Sequence, residues 1–276
     1  YDILLINGAQ RNIDLAIKSK RYIKNIFIAI RNLRFIHDSY FNNAVLRIIN
    51  NNMKIICNSK SISNSLQLTF KLNKKMIKVI NNGIIKFRYI SKKKMLSGFK
   101  VMFVGNLREV KNPLFFLNVA KKIIEDKKFP MSFYLIGDGP LINDIMSFIE
   151  KYNLNNQVKV LGKIANNEIP FEEIDLVFNS SESEGSSNSI LESLMFGKPV
   201  VACDNDGNKE ILNKGKFGEL YKKNNINSAV KKIEYYYKLD SKSLTNISIN
   251  SKTFIKNYYN KELMVNEYFK YFKDSM

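Results

Sequence analysis

Short apolar runs alternate with longer segments of helical period along most of the chain. Most of these runs hold four to six residues without a polar interruption, which is typical of parallel strands covered on both faces. The segments between them, such as 113–127 and 141–152, repeat their apolar residues at helical spacing. The alternation predicts an α/β fold with doubly wound parallel sheets. The predicted strands lie at residues 2–6, 25–30, 53–57, 77–80, 99–104, 131–136, 158–161, 175–178 and 199–202.

The segment 85–98 interrupts this rhythm. It is basic, contains two serines and ends at Gly98, so we interpret it as a linker between two α/β units. The chain is then expected to form three parts: residues 1–97, whose linker starts near 85, residues 98–240, and a helical segment at 241–276. The last segment carries aromatic residues at helical spacing, which favours a packing face directed back toward the first part.

The composition adds a strong positive charge to this picture. The chain has 44 basic and 25 acidic residues, which gives a net charge of +19. Three explanations compete: nucleic-acid binding, attraction to an anionic membrane surface, or a composition crowded with lysine, asparagine and isoleucine. The basic residues look scattered, with the densest groups at 74–75 and 92–94 and no stacking motif. We therefore favour the compositional explanation, expect no nucleic-acid partner, and treat membrane attraction as a secondary benefit.

Two further features concern the cellular compartment. No run of about 18 apolar residues occurs, so no segment is expected to span a bilayer. The first residues lack the basic, apolar and small-residue regions of a signal peptide. Cys57 and Cys203 each follow a short apolar run without metal-ligand spacing, which favours two buried thiols in a reducing cytosol.

The strongest chemical signal is the stretch 181–211, SESEGSSNSILESLMFGKPVVACDNDGNKEI. A predicted strand ends before it, Gly185 opens a loop of small residues, and a helix is predicted at 188–196. The backbone amides at a helix start attract phosphate, and glycine and serine allow a ligand to approach closely. Glu184 precedes the helix and Glu192 lies within it, so the two carboxylates are placed to reach different parts of one ligand. The alternative is a capped helix with two acids that face solvent.

Two other glycine-containing turns follow predicted strands. In VGNLREVKNP, residues 104–113, Gly105 stands at a strand end and Lys111 precedes a helix start, where its ammonium is placed to reach a phosphate. An ordinary solvated loop would explain Arg108 and Lys111 equally well. IGDGPL, residues 136–141, connects a strand to a helix, and simple chain reversal accounts for it.

The order and spacing of these motifs resemble the retaining family 4 glycosyltransferases, which have the GT-B fold of two Rossmann-like domains. The matching pieces are VGNLREVKN, LIGDGPL, VKVLG, SESEGSSNSILESLMFGKPVVA, DGNKEI and the stretch 215–218. Upstream, IICNSKSISNSL and KVINNGI are similar to the end of the family's N-terminal domain. The resemblance implies that residues 1–97 form an incomplete acceptor-side domain, because the family's first strands and acceptor-facing glycine loop have no counterpart. It also implies that residues 98–240 bind a nucleotide sugar.

The resemblance implies roles for individual residues. Glu192 would hold the ribose hydroxyls, while the catalytic residues would be Glu184, which orients the transferred sugar, and Lys111, which binds the diphosphate and stabilises the leaving group. The backbone of 187–190 would cap the phosphates, and the turn at 162–164 would lie near the base. The complete donor-binding set is Gly105, Asn106, Arg108, Gly162, Lys163, Ile164, Gly185, Ser186, Ser187, Asn188, Ser189, Ile190 and Glu192.

Two positions of the donor half depart from the family pattern. The family has an arginine directly after the glycine at position 105, whereas this chain has Asn106, and Arg108 is the candidate substitute. The family's paired glycine before its last acidic residue is here only Gly207, preceded by Asp206.

Three other polar groups are candidates for a role. Arg31 and Asn32 follow a predicted strand and fit the position where family members place a histidine or an Arg–Asn pair, so we expect contacts from them. His37, the only histidine, is then expected in a loop or at a helix start. The triplet 204–206 spells the metal-binding DxD motif of the other glycosyltransferase fold, but it follows a predicted buried strand, so no metal is expected.

The expected function is transfer of a hexose or N-acetylhexosamine from a nucleotide diphosphate sugar, with retention at the anomeric carbon. No cofactor is expected beyond the nucleotide sugar, which we expect to be UDP-linked. The acceptor would be a glycan or a lipid-linked sugar, and the protein would be cytoplasmic or peripheral on the cytoplasmic face of the membrane. The alternative is a catalytically incomplete fragment or a nucleotide-sugar-binding subunit.

Overall fold

The chain forms two compact units. The computed structural model describes residues 2–32, 38–85, 96–126 and 129–276. The first unit comprises Tyr1–Gly83, Ser183–Ser186 and Tyr258–Met276, and the second comprises Ile84–Glu182 and Ser187–Asn257. Most of the linker predicted at 85–98 lies outside the described residues, and the three-part division after 97 and 240 stays a prediction.

Each unit is built around one parallel β-sheet. The strands of the described residues are β1 (Ile3–Asn7), β2 (Asn25–Ile30), β3 (Lys54–Cys57), β4 (Ile77–Val79), β5 (Phe99–Val104), β6 (Met131–Ile136), β7 (Val158–Gly162), β8 (Leu176–Asn179), β9 (Val200–Cys203) and β10 (Glu219–Tyr221). Their α-helices are α1 (Ala9–Ser19), α2 (Ser39–Asn50), α3 (Lys60–Phe70), α4 (Pro113–Asp126), α5 (Ile142–Lys151), α6 (Asn188–Met195), α7 (Asp206–Ile211), α8 (Ile226–Lys238), α9 (Ser241–Tyr258) and α10 (Lys261–Lys273). This alternation confirms the α/β fold predicted from the apolar pattern.

The sheet of the first unit has the strand order β1-β2-β3-β4, and every neighbouring pair is parallel. Residues of α1, α2 and α3, such as Ile13, Val45 and Leu66, form one buried cluster with the strands. Each helix places most of its apolar residues on one stripe, and that stripe packs on the sheet. Cys57 is buried in this cluster, and burial raises the pKa of its thiol to about 12. The expectation of a buried thiol is therefore confirmed for Cys57.

Helix α10 packs on a second apolar cluster of the first unit. Phe27 and Ile56 belong to this cluster, and the aromatic residues of α10 pack against it. The ring centroid of Phe27 lies 4.8 Å from that of Phe272 and 5.4 Å from that of Tyr271. The packing role predicted for the C-terminal aromatics is therefore confirmed for these two residues, whereas Phe269 is 70% exposed.

The sheet of the second unit has the order β10-β9-β8-β5-β6-β7 and is parallel throughout. Within this sheet the chain forms β5 first and adds β6 and β7 on one side of it. It then returns to the other side of β5 and adds β8, β9 and β10. This is the strand order of the doubly wound Rossmann fold. The order reverses between β5 and β8, so the loops that leave their carboxyl ends diverge around a crevice.

Two elements differ from the sequence prediction. Strand β10 was not predicted, because it has only three residues and begins with the charged Glu219. The segment 241–276 contains two helices where one helical segment was expected. They are separated because the side chain of Asn260 accepts a hydrogen bond from the Leu263 amide, at 2.8 Å, and caps α10.

The two phenylalanines of α10 give a matched test of its packing. We expect Phe272→Ala to lower the free energy of unfolding of the first unit by about 2–3 kcal/mol, because it removes a ring packed on Phe27. Phe269→Ala should change it by less than about 0.5 kcal/mol, because that ring is exposed. Urea unfolding followed by tyrosine fluorescence measures both. Equal losses in the two variants would contradict this packing.

Candidate functional site

The candidate site lies where the strand order of the second sheet reverses. The loop after β5 begins at Gly105, and the loop after β8 begins at Ser180. In open parallel α/β sheets, ligands bind outside the carboxyl ends of the strands at such a reversal. The two loops identified from the sequence as chemically important are therefore the two that flank this position.

The loops after β5, β6 and β7 are joined by backbone hydrogen bonds. The Leu107 amide donates to the Asp138 carbonyl at 3.0 Å, and the Gly137 amide donates to the Gly162 carbonyl at 2.9 Å. Gly137 has φ = 143°, and a Cβ at this position would lie 1.9 Å from the Gly105 carbonyl oxygen. The 136–141 turn therefore does more than reverse the chain. Its glycine lets the three loops approach one another.

The turn that carries Lys111 is held by residues from the loop after β8. The Ser180 hydroxyl donates to the Lys111 carbonyl at 2.8 Å. The Glu182 amide donates to the Val110 carbonyl at 3.1 Å, and the Asn112 side-chain amide donates to the Glu182 carboxylate at 3.0 Å. Three consecutive residues of the turn are thus fixed from across the crevice, which positions the backbone from which the Lys111 side chain extends.

Glu182 and Asn112 each have a second partner. The other carboxylate oxygen of Glu182 lies 3.1 Å from the Lys223 ammonium. Asn112 has φ = 47°, and its side-chain oxygen accepts from the Phe115 amide at 3.2 Å, which caps the first turn of α4. Sequence reasoning missed Glu182 as a positioning residue, although the SESE pattern displays two acids and only Glu184 was assigned.

Helix α6 begins without a side-chain cap. Its preceding residue, Ser187, makes no capping bond to the helix. The Ser187 hydroxyl accepts instead from the buried Asn179 side-chain amide at 3.1 Å and lies 3.1 Å from the Ser189 hydroxyl. The side chain that would ordinarily satisfy an amide of the first turn is therefore engaged with the end of β8.

The loop after β9 joins the same polar network. The Asn208 side-chain amide donates to the Cys203 carbonyl at 2.9 Å, and the Asn205 side-chain amide donates to the Ser181 carbonyl at 2.9 Å. Asn205 also caps α7, since its side-chain oxygen accepts from the Asn208 amide. Asp204 lies 2.8 Å from the Lys209 ammonium, and Asp206 is in the first turn of α7. Asn205, the middle residue of the DxD triplet, therefore has a structural role through its two hydrogen bonds.

No group of three or more histidine, cysteine, aspartate or glutamate side chains that could hold a metal ion occurs in the part of the chain that the structure describes.

Glu192 is a titratable group of the site whose pKa is shifted by burial. It lies in the middle of α6 and is half-buried. Burial raises the pKa of its carboxyl to about 7, because the charged form loses its hydration. A carboxyl poised near neutral pH is a frequent property of functional sites. Such a group changes its charge readily when a hydrogen-bond donor binds.

The remaining predicted residues divide between the two units. The loop Ser183–Ser186 belongs to the first unit. A Cβ on its Gly185 would lie 2.4 Å from the Arg31 carbonyl oxygen and 2.3 Å from a side-chain carbon of Ile62, so only glycine fits there. The Arg31 guanidinium donates to the Asn82 side-chain oxygen at 3.1 Å.

The predicted set is therefore not confined to one unit. The first unit holds Arg31, Asn32, Glu184, Gly185 and Ser186. The second unit holds Gly105, Asn106, Arg108, Lys111, Gly162, Lys163, Ile164, Ser187, Asn188, Ser189, Ile190 and Glu192. Asn106, Arg108 and Lys163 are exposed, whereas the Ile190 side chain is buried and is thus limited to a backbone role. His37 lies outside the described residues.

More than half of the chain matches a known protein family. The family model described as Glycosyl transferases group 1 matches residues 88–254, which is more than half of the chain. This chain belongs to the group 1 glycosyltransferases. The matched region of this chain contains all of the predicted site residues of the second unit, together with the Ser183–Ser186 loop.

Curated relatives of this chain include a galactosyltransferase and an uncharacterized glycosyltransferase. The chain is 32% identical over 190 residues to the UDP-Gal:alpha-D-GlcNAc-diphosphoundecaprenol alpha-1,3-galactosyltransferase of Escherichia coli. The aligned residues cover 67% of this chain and 48% of the relative. The chain is 34% identical over 185 residues to the uncharacterized glycosyltransferase MJ1178 of Methanocaldococcus jannaschii, which covers 66% and 49%. The chain thus spans about half the length of these relatives.

Solved structures share the fold of this chain. Anabaena Alr3699/HepE in complex with UDP aligns with a TM-score of 0.83 at 20% identity, covering 100% of this chain and 79% of that one. The sucrose-phosphate synthase of Thermosynechococcus elongatus aligns with a TM-score of 0.84 at 14% identity, covering 99% and 73%. These likenesses confirm the predicted GT-B fold with Rossmann-like parallel sheets.

Two substitutions at Glu182 test how the Lys111 turn is held. Glu182→Ala should lower the free energy of unfolding by about 1–3 kcal/mol, because the Asn112 amide loses its acceptor. Glu182→Gln keeps an acceptor oxygen and loses only the ion pair with Lys223, so it should cost less than about 1 kcal/mol. Chemical denaturation measures both, with the exposed Glu109→Ala as the control. If glutamine proved as harmful as alanine, the Asn112 contact would not be the stabilising one.

The raised pKa of Glu192 makes stability depend on pH. Between about pH 4.5 and 7 the folded state keeps a proton that the unfolded chain releases, so the free energy of unfolding falls as the pH rises through this window. Glu192→Gln removes this titration. We expect the free energy of unfolding of the variant to exceed that of the wild type by up to about 3 kcal/mol at pH 8 and to equal it near pH 4.5. The exposed Glu168→Gln is the control, and a pH-independent difference at Glu192 would refute the assignment.

Proposed function

We propose that this chain is a glycosyltransferase that moves a hexose or N-acetylhexosamine from a UDP-linked sugar to a glycan or lipid-linked acceptor, with retention at the anomeric carbon. The main support for this proposal is the pair of loops at the strand-order reversal. One loop contains Lys111, and the other leads into the start of α6, which has no side-chain cap. Family membership supports glycosyl transfer. The HepE complexes with UDP and UDP-glucose, and the UDP-Gal in the name of the Escherichia coli relative, support a UDP-linked donor.

The diphosphate of the donor would bind between these two loops. A helix start has a partial positive charge and backbone amides directed at the ligand, and Ser187 to Ile190 form the start of α6. The Lys111 ammonium would add a full positive charge. When the bond between the anomeric carbon and the phosphate oxygen breaks, the leaving UDP gains negative charge. The lysine and the helix start would stabilise that charge in the transition state.

The two acids would bind the two sugars of the donor. Glu192 would accept hydrogen bonds from the ribose hydroxyls, which favours its ionised form. Because burial raises the pKa of this carboxyl to about 7, UDP binding should be accompanied by proton release near neutral pH. Glu184 would orient the transferred sugar. The turn at Gly162 and the exposed Lys163 would lie beside the base, and Asn106 and Arg108 would complete the phosphate side.

The acceptor and the location are inferred from the names of two relatives. The Escherichia coli relative is named for a diphosphoundecaprenol-linked acceptor, and that of Staphylococcus aureus for a poly(ribitol-phosphate) acceptor. No α-helix in the described ranges is long and apolar enough to cross a bilayer. We propose a cytoplasmic protein that reaches such acceptors as a peripheral component of the membrane surface.

A second candidate is a nucleotide-sugar-binding subunit or fragment without transfer activity. The observation that favours it is coverage, since the chain matches about half of its curated relatives. Both candidates predict UDP binding, and only the first predicts transfer. A thermal-shift panel of UDP-, GDP- and ADP-sugars identifies the donor, because tight ligands raise the melting temperature by mass action. Product analysis by NMR with the best donor then separates the candidates and reports the anomeric configuration.

Substitutions at Glu192 and Lys111 should separate binding from turnover. Glu192→Ala should weaken UDP binding by about 10–100-fold, because ribose loses a charged acceptor. Lys111→Ala should lower kcat by about 10²–10³-fold with a smaller change in UDP affinity, because its charge acts mainly on the leaving group. Isothermal titration and initial-rate kinetics measure the two effects, with the exposed Glu109→Ala as a control on the same turn. Unchanged UDP affinity in Glu192→Ala would remove the donor-site assignment.

A further inference from the structure

The positive charge of the chain is concentrated in its first third. Residues 1–97 hold 19 of the 44 basic residues and only three of the 25 acidic residues. Residues 98–276 hold 25 basic and 22 acidic residues, so they are nearly neutral. The basic residues themselves are only modestly denser in residues 1–97, so the imbalance comes mainly from the scarcity of acidic residues there. A composition rich in lysine throughout does not account for the division, because it would not remove acids from one part only.

The topology of the first sheet collects much of this charge at one edge. Strands β2, β3 and β4 are parallel neighbours, so the segments that enter their amino ends lie side by side. These segments are 20–24, 51–53 and 71–76. The Lys20 ammonium donates to the Asn51 carbonyl at 2.6 Å, which joins the first segment to the second.

We name this feature the cationic edge. Its seven basic residues are Lys20, Arg21, Lys24, Lys54, Lys71, Lys74 and Lys75. Lys54 is half-buried and the other six are exposed. Within the described ranges, none of the seven has a carboxylate within 4.0 Å, whereas other lysines and arginines of the first unit, such as Arg47 and Lys78, are in ion pairs.

Few acids offset the cationic edge. Among the described residues up to 83, the acids are Asp2, Asp14 and Asp38. Asp14 is paired with Arg47 at 2.6 Å, and Asp38 caps the start of α2. Asp2, directly before β1, lies at the edge itself. The Lys54 ammonium is 5.8 Å from the Tyr271 ring, so the end of α10 adjoins the edge and adds Lys270, Lys273 and Asp274.

The cationic edge is not where a parallel sheet binds its substrates. Ligands of such sheets bind beyond the carboxyl ends of the strands, and this edge is formed by the amino ends. Tyr22, in the same segment as Lys20, is 85% exposed. Tyrosine has an apolar ring and a polar hydroxyl and is enriched at the interface between membrane and water. Exposed lysines around such a ring fit a negatively charged, planar partner.

We infer that the cationic edge docks the protein on a bilayer rich in anionic lipid. The inference deepens the membrane association of the proposed function and rests on it. Attraction to anionic headgroups strengthens binding by about fivefold for each basic residue near the surface. Reversal of three charges of the edge should therefore weaken binding by roughly 100-fold or more, and salt should weaken it further by screening.

Vesicle co-sedimentation of the full chain tests the inference. Vesicles of phosphatidylcholine alone are compared with vesicles that contain about one third phosphatidylglycerol, at low and high salt. We expect binding only to the anionic vesicles at low salt. The variant K71E/K74E/K75E should lose it, while the control K222E/K231E/K242E, which has the same net charge and exposed positions in the second unit, should keep it.

The outcomes separate this inference from the proposed function. UDP affinity is measured on all three proteins, and the edge variant should retain it, because none of its substitutions is in the nucleotide site. Loss of UDP binding in the wild type would refute the proposed function and leave the vesicle result standing. Equal loss of vesicle binding in both variants would show that net charge alone is responsible and would overturn the inference. Binding to soluble polyphosphate but not to anionic vesicles would overturn it in favour of a polyanionic polymer.

Discussion

The strand order of the second sheet is the constraint on which the candidate site depends. Because β5 lies between β6 and β8, the loops that follow β5 and β8 leave the sheet at neighbouring carboxyl ends. Ser180 and Glu182 then hold the turn 110–112 by hydrogen bonds to three consecutive residues. A lysine that must meet a developing charge needs such support, since a displacement of about 1 Å can lower a rate a hundredfold. The chemistry proposed for Lys111 therefore depends on a backbone contact that its own side chain does not make.

The burial of Glu192 opposes stability when its carboxyl is ionised. A half-buried carboxyl in the middle of α6 loses hydration, which raises its pKa to about 7 and costs free energy when it ionises. A ligand that donates hydrogen bonds would compensate for the lost hydration. The asparagine and serine network at the ends of β8 and β9 differs from Glu192, because its side-chain amides find acceptors within the protein, although the side-chain oxygen of the buried Asn208 has no hydrogen-bond partner among the described residues.

Charge and chemistry occupy different parts of the chain. The residues assigned to the donor come mainly from the second unit, whose part of the sequence is nearly neutral. The excess of lysine and arginine lies in residues 1–97, and the parallel order of β2, β3 and β4 brings seven of these residues to the edge opposite to the one that binds substrates in such sheets. The net charge of the whole chain does not show this separation, because the strand order decides which segments become neighbours.

The sequence by itself determined the α/β alternation, nine of the ten described strands, and the loops around Lys111 and Glu192, because these depend on local period and on turn residues. Strand β10 was missed because three residues give too short a period. The roles of Glu182, Asn179 and Gly137 were decided only by the tertiary structure. Each acts through a partner that is distant in sequence, such as Asn112, 70 positions from Glu182. The proton affinity of Glu192 was decided there as well, because burial is a property of the packed chain and cannot be read from a carboxylate in a helical pattern.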